Sequence, residues 1–226
     1  MKSIAIMQPT YIPWVGYFAL LDKVDEFVFL DSVQFERRSW QQRNRIKGSN
    51  GEVMLTIPVK KAPRNQLIIC EAKIDYTTNF VLKHITALQH SYGKAPFYNE
   101  YKEIIVDSLK KETSLLVDLN IEIIKRIAKV LYIETPMLRS SELSSKGSKD
   151  ELLYNICCEL NAHVYISPPG SKEYLDNSNY FNEGAFPLEY HTYKPKPYNQ
   201  LFGDFLPYMT VIDLLFNEGS KSFEKI

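Results

Sequence analysis

The sequence predicts an α/β fold, a parallel-sheet, nucleotide-binding-like core carrying a helical insertion. Three observations predict it. Apolar runs at residues 3–7 and 27–31 bracket an amphipathic stretch, the strand–helix–strand pattern of a parallel pair with a right-handed crossover. Between residues 80 and 131 the apolar spacing switches to threes and fours, which reads as a block of helices. A further apolar run at 163–167, stopped by Pro168-Pro169-Gly170, returns the chain to the sheet. The chain of 226 residues is therefore read as one compact domain overall, with an N-terminal α/β part (1–76), a helical subdomain (77–139) and a C-terminal α/β part (140–226).

Each element has its own signal. Residues 3–7 form a buried strand ended by Gln8-Pro9, and the Pro13 before Trp14 suits a helix opening there. Phe27-Val28-Phe29-Leu30-Asp31 is a second buried strand ending in a carboxylate. Residues 53–59 and 67–74 read as two more strands, joined by the basic Lys60-Lys61-Ala62-Pro63-Arg64. Val81, Ile85, Leu88 and Tyr92 share a helix face, as do Ile104, Ile105 and Leu109. The clearest helix covers 115–131, with Leu116, Leu119, Ile123, Ile127 and Leu131 in one stripe. Residues 140–150 are a polar linker loop, and Leu152, Leu153, Ile156, Cys157 and Leu160 mark the next helix. The last helix, near 210–217, opens with Thr210 and Asp213 at capping-box spacing and stops at Gly219.

Composition narrows the function. No apolar run approaches the roughly 18 residues of a membrane helix, so membrane insertion is excluded. The opening Met1-Lys2-Ser3 is too short for a signal peptide, and three cysteines, two of them adjacent, make neither a disulfide framework nor a metal spacing. A cytoplasmic location is expected. The 27 basic residues balance the 27 acidic ones, which argues against a nucleic-acid partner. Eight basic residues nevertheless fall between 34 and 64 (Arg37, Arg38, Arg43, Arg45, Lys47, Lys60, Lys61, Arg64) against Glu36 and Glu52. Such a concentration suits a nucleotide sugar or another phosphorylated small molecule.

Four stretches carry candidate chemistry. At the first strand's end, Gln8, Thr10, Tyr11 and Trp14 border a loop leading into a helix, and Asp31 ends the neighbouring strand on the same carboxyl edge, where open parallel sheets bind ligands. Next, Arg37, Arg38, Arg43 and Arg45 interleave with Trp40 and Asn44, a pattern for gripping phosphates bidentately and stacking a base or sugar. Ser171 and Lys172 follow a strand and a Gly turn, as in phosphate cradles, without the spacing of a Walker motif. Finally, the Tyr-, His- and Pro-rich stretch 190–200 has the composition of a lid, with His191 as a candidate base beside Asp31. His84 and His90, six apart on a helix, lie on different faces, and no metal site is expected.

Met7-Gln8-Pro9-Thr10-Tyr11-Ile12-Pro13-Trp14-Val15-Gly16-Tyr17-Phe18, Phe29-Leu30-Asp31-Ser32-Val33-Gln34-Phe35, Arg37-Arg38-Ser39-Trp40-Gln41-Gln42-Arg43-Asn44-Arg45-Ile46 and Gly170-Ser171-Lys172-Glu173-Tyr174-Leu175 together resemble the WbqC-like protein family, nearly from end to end. The resemblance implies a bacterial protein working among genes for O-antigen and other surface polysaccharides, hence a transferase acting on a nucleotide-linked amino sugar, by acyl or aminoacyl transfer. The alternative it leaves open is a non-catalytic binding or assembly protein for a polysaccharide biosynthesis complex. It supplies no catalytic residue, cofactor or oligomeric state. The opening is also similar to nucleotidyltransferase-like folds that adenylate carboxylates. Those carry paired histidines in the first loop, whereas residues 9–14 here contain none, which argues against adenylation.

Overall fold

The computed structural model describes residues 1–61 and 67–226; Ala62, Pro63 and Arg64 of the basic connection lie outside the described residues. In chain order the elements are β1 (Ser3–Met7), α1 (Val15–Lys23), β2 (Glu26–Phe29), β3 (Arg43–Gly48) and β4 (Gly51–Thr56). Four helices follow: α2 (Phe80–Tyr92), α3 (Tyr98–Tyr101), α4 (Glu103–Lys110) and α5 (Leu116–Val130). The rest are β5 (Met137–Arg139), α6 (Lys149–Glu159), β6 (Val164–Ser167), α7 (Lys172–Leu175), α8 (Asn179–Asn182), β7 (Leu188–Tyr190) and α9 (Val211–Glu218). They fall into two compact units. One comprises Met1–Gln8, Ala19–Ser32 and Glu134–Lys194; the other comprises Pro9–Phe18, Val33–Ile133 and Pro195–Ile226.

The first unit is built on a five-stranded sheet in the order β5-β2-β1-β6-β7, with every pairing parallel. Ile4, Ala5, Phe27, Val28 and Phe29 are fully buried, the continuous apolar strands expected of a parallel sheet shielded on both faces. From β1 the chain moves outward to β2 and β5, then returns to the other flank of β1 as β6 and β7. The strand order thus reverses between β1 and β6, the place where open parallel sheets present a crevice beyond their carboxyl ends. The polar stretch 140–150, read as a linker, begins with a 3-10 turn (Ser140–Glu142) and ends inside α6. Ser148 and Glu151 close a capping box there, satisfying the helix's first donors.

The second unit holds the β3–β4 hairpin, α2 to α5 and α9. The helices expected as a separate subdomain share this unit with the hairpin as far as Ile133. The α5 stripe is as predicted, with Leu116, Leu119, Ile123 and Ile127 all fully buried. Residues 67–74 are a different matter. The expected strand is a 3-10 turn (Ile69–Glu71) flanked by isolated bridges from Ile68 to Gln34 and from Ile74 to Val59. The backbone N–H of Ile69 goes to Val33 O at 2.9 Å, and Pro58 has no N–H to continue a ladder, so β4 stops at Thr56. The end of α9 matches the reading: Gly219 takes φ 58°, and a Cβ there would come within 2.6 Å of the Phe97 ring. Its start does not. The Asp213 backbone N–H reaches Thr210 O at 3.0 Å, but no side-chain cap forms, because the Asp213 carboxylate is turned toward Tyr92, Tyr198 and Gln200.

Candidate functional site

In the second unit the hairpin sorts the basic stretch. Alternation along β3 puts Arg43, Arg45 and Lys47 on one face, opposite Thr56, Met54 and Glu52 on β4. Arg45 Nη1 pairs with Glu52 Oε1 at 2.7 Å, and its guanidinium lies 5.9 Å from the centre of the Trp40 ring. Trp40 and Met54 are each about half exposed (49% and 46%), an apolar border for a flat ligand. Arg43 is partly buried, and its Nε is shielded from solvent with no acceptor among the described residues. A desolvated guanidinium donor without a partner is costly unless something else supplies the acceptor.

The other members of the stretch have structural work. Arg37 donates to Val59 O and Lys60 O, at 3.4 and 3.0 Å. Arg38 is exposed at a turn with φ 62°. On the opposite face of β3, Asn44 is buried and donates from Nδ2 to Tyr11 O and Ile12 O, both at 3.0 Å, which clamps the 9–14 loop to the hairpin. Tyr11 is fully buried; its hydroxyl lies 2.9 Å from His84 Nδ1, and His84 Nε2 lies 3.2 Å from Thr56 O. A carbonyl must accept, so Nε2 carries the proton and Nδ1 accepts from Tyr11. Desolvation pushes His84 down to about 4, keeping it neutral. Trp14 packs beside Tyr208, ring centres 5.6 Å apart, and over Gly16, where a Cβ would lie 2.1 Å from the indole. Thr10 is partly buried in this loop.

In the first unit Asp31 is wholly buried at the end of β2. Its oxygens accept from Arg139 Nε (2.7 Å), Ser140 Oγ (3.2 Å), Ser141 N (2.9 Å) and Ser141 Oγ (2.9 Å). These donors all sit at the end of β5, the parallel neighbour of β2, so the carboxylate ties two strand ends together. Gln8 is exposed just past β1. His191 directly follows β7, and its backbone N–H donates to Ser167 O at 2.9 Å. Its ring Nε2 is shielded without a partner among the described residues, and desolvation, with help from Lys23, lowers its pKa below the usual 6.5. Ser171 Oγ donates to Pro168 O at 2.7 Å and lies 2.5 Å from Ser167 Oγ, closing the turn before α7. Lys172 is exposed, 5.5 Å from the centre of the Tyr190 ring. No group of three His, Cys, Asp or Glu among the described residues is placed to hold a metal.

The family model for the WbqC-like protein family matches residues 8–225. The chain belongs to that family. An uncharacterised protein of Mycobacterium tuberculosis, Rv1507c, is 35% identical over 224 residues, covering 98% of this chain and 96% of that protein. No solved structure matches. Among the described residues of this WbqC-like chain, no helix is long and apolar enough to cross a membrane.

The structure also joins residues to which the sequence reading gave separate roles. Around Asp213 of the WbqC-like chain, wholly buried on α9, the Tyr92 and Tyr198 hydroxyls and the Gln200 amide each donate at 2.8 Å. Buried Lys47 donates its ammonium to Gln200 Oε1 (3.0 Å) and Asp204 O (2.6 Å), and its backbone N–H to the Tyr92 hydroxyl (3.0 Å). The sequence signals were the alternation of Lys47 with Arg43 and Arg45 and the lid-like composition of 190–200, which holds Tyr198 and Gln200; no local pattern joined them to Asp213.

Proposed function

We propose that this WbqC-like protein acts on a nucleotide-linked amino sugar, as a transferase of acyl or aminoacyl groups in the biosynthesis of bacterial O-antigen and related surface polysaccharides. The observation that carries the reading is Arg43. A diphosphate would give its shielded Nε, which has no partner among the described residues, an acceptor, with Arg45 adding a second cation on the same face and Trp40 a ring on which a base can stack. In such a transfer the sugar amine attacks the carbonyl of an activated acyl donor such as a thioester, the new C–N bond replaces the carbonyl–sulfur bond as the thiolate departs with its electron pair, and a base takes the amine's proton. Both base candidates lie in the first unit, where His191 has a shielded ring nitrogen without a partner among the described residues and Asp31 has four donors on its two oxygens.

Titration calorimetry with UDP-, dTDP- and GDP-linked sugars tests the binding. Arg43→Ala is expected to weaken the binding partner in the panel by about 1.5–3 kcal/mol, with Arg43→Lys recovering part of it, because an ammonium keeps the charge without the planar fork. Silence across the panel, or unchanged affinity in a folded Arg43→Ala, would sink the reading. The commitment of Asp31 favours a second reading, a binding or assembly protein without turnover. Sugar-nucleotide affinity with no acyl transfer from any activated donor, alongside co-purification with a glycosyltransferase, would select it.

A further inference from the structure

Residues 195–209 run without helix or strand, and a loop of that length inside a compact unit needs a reason. Little apolar burial holds it. Lys196, Pro197, Asn199, Phe202, Gly203, Asp204 and Tyr208 are exposed, and Met209 alone in the segment is buried. Its ends are tied, with Lys196 donating to Glu224 O and Ile226 O (2.9 and 3.1 Å), Lys225 to Pro197 O (3.0 Å) and the Tyr208 ring packed beside Trp14, while its middle is held by one polar knot. Gln200 donates to the Asp213 carboxylate (2.8 Å) and to Leu206 O (3.0 Å), and accepts from Leu206 N (2.8 Å) and the Lys47 ammonium (3.0 Å). Lys47 also holds Asp204 O. Between its tied ends the segment therefore carries a few partly buried polar bonds gathered at one point, the pattern of an element whose middle releases as a unit. Lys47 fixes where it sits. It is two residues beyond Arg45 and four beyond Arg43 on the same face of β3, so the segment rests on that face at its Lys47 end.

We propose that residues 195–209 form a latch that opens locally, without unfolding of the unit, and that when closed shuts the Lys47 end of the Arg43–Arg45 face; its role in ligand retention rests on the nucleotide-sugar reading above. Gln200 is the bolt, because it alone joins the Lys47 ammonium, the Asp213 carboxylate and the backbone of the segment. Hydrogen–deuterium exchange on the full chain reads the opening, with UDP-N-acetylglucosamine and inorganic pyrophosphate as probes. In wild type, amides of 201–206 should exchange at least a hundredfold faster than those of α9 and β3. Gln200→Ala should speed 201–206 at least a further tenfold and leave α9 and β3 unchanged. Tyr198→Phe, a milder loosening of the same knot, should give a smaller increase confined to the same amides. With either probe bound, the segment should slow in wild type, and the probe should leave Gln200→Ala at least fivefold faster. Exchange of 201–206 only at the rate of α9, or acceleration spread over the whole unit in both variants, would overturn the latch. A probe that binds and leaves both proteins at the same rate would overturn it too. A wild type that binds neither probe counts against the nucleotide-sugar reading alone, and the latch is then decided by the exchange pattern.

Discussion

Asp31 and Asp213 are both wholly buried, yet they are held in opposite ways. Asp31 meets a guanidinium, two serine hydroxyls and a backbone N–H, all from the consecutive residues 139–141. Asp213 meets two phenols and an amide drawn from three places in the chain, with its nearest cation, Lys47, one residue removed through Gln200. Burial raises the Asp213 pKa even though all three donors and the Lys47 charge oppose the rise. One carboxylate is neutralised by a directly bonded cation; the other rests on neutral dipoles. The first arrangement locks two strand ends, and the second is suited to letting go.

The largest effect should come from breaking the ion pair. Asp31→Ala leaves the Arg139 guanidinium, only 25% exposed, without its carboxylate, and strands the Ser141 N–H as well. Removing one partner of a buried pair costs about 3–5 kcal/mol, and partial exposure of Arg139 places this case near 3. Urea unfolding measures it. A loss under about 1 kcal/mol would mean that the pair is merely a surface contact. Replacing both partners, as in Asp31→Leu with Arg139→Met, should recover part of the loss, because no charge is then left unpaired.

A third buried group, His84, extends the contrast to a residue held uncharged. Its folded pKa of about 4 lies below the unfolded 6.5, so between these values the unfolded chain binds more protons. The stability that neutral His84 contributes is complete above pH 6.5 and is lost as the pH falls toward 4, by about 3 kcal/mol at one pKa unit per 1.4 kcal/mol. Stability measured at pH 7 and pH 4 should show the drop, and His84→Gln, which cannot charge, should flatten it. A profile equally steep in both proteins would refute the assignment.

The same contrast explains what could be read from the sequence. The place of Asp31 was legible because a carboxylate closing an apolar strand is a local pattern, but its donors at residues 139–141 were not, since β5 is too short to show in the sequence. The β1–α1–β2 unit and the α5 stripe were legible for the same reason, since periodicity over a few turns decides them. Asp213 was not. Its spacing from Thr210 fits a capping box, but partners 121, 15 and 13 residues away took the carboxylate instead. Nor was the turn at residues 69–71, where a tertiary bond from Ile69 to Val33 displaced the expected strand. Within the basic stretch, composition marked Arg37, Arg38, Arg43 and Arg45 alike. Only the hairpin register and the nearby carbonyls separate Arg43, whose Nε has no acceptor among the described residues, from Arg37, whose donors are used.

Asp213→Asn sharpens the comparison at lower cost. The amide keeps one acceptor oxygen but turns donors toward a group already supplied with donors, so a loss of about 2 kcal/mol is expected at pH 7. The pH dependence carries the sign. With the folded pKa raised above 3.8, the native state binds more protons in the window above that value, and wild type loses stability relative to the uncharged variant as pH rises through it. The gap between the two proteins should therefore narrow as pH rises.

The smallest effect separates the two phenols. Tyr92 does two jobs, donating to Asp213 and accepting from the Lys47 backbone N–H, so Tyr92→Phe strands a buried donor as well as removing a bond. Tyr198 is partly exposed, and its bond to Asp213 is one of two on the same oxygen, the other coming from Gln200. Losing it leaves the carboxylate with two donors and takes from the Gln200 amide only its longer bond, to the Tyr198 hydroxyl at 3.2 Å. A net hydrogen bond is worth about 0.5–1.5 kcal/mol, so Tyr198→Phe should cost about 1 kcal/mol and Tyr92→Phe about twice that. Equilibrium unfolding of the two variants side by side checks the ratio. Equal losses would mean that the Lys47 N–H finds another acceptor once the Tyr92 hydroxyl is gone. A Tyr198 loss larger than that of Tyr92 would mean that the 195–209 segment is held by Tyr198 rather than by Gln200, and the bolt would have to be reassigned.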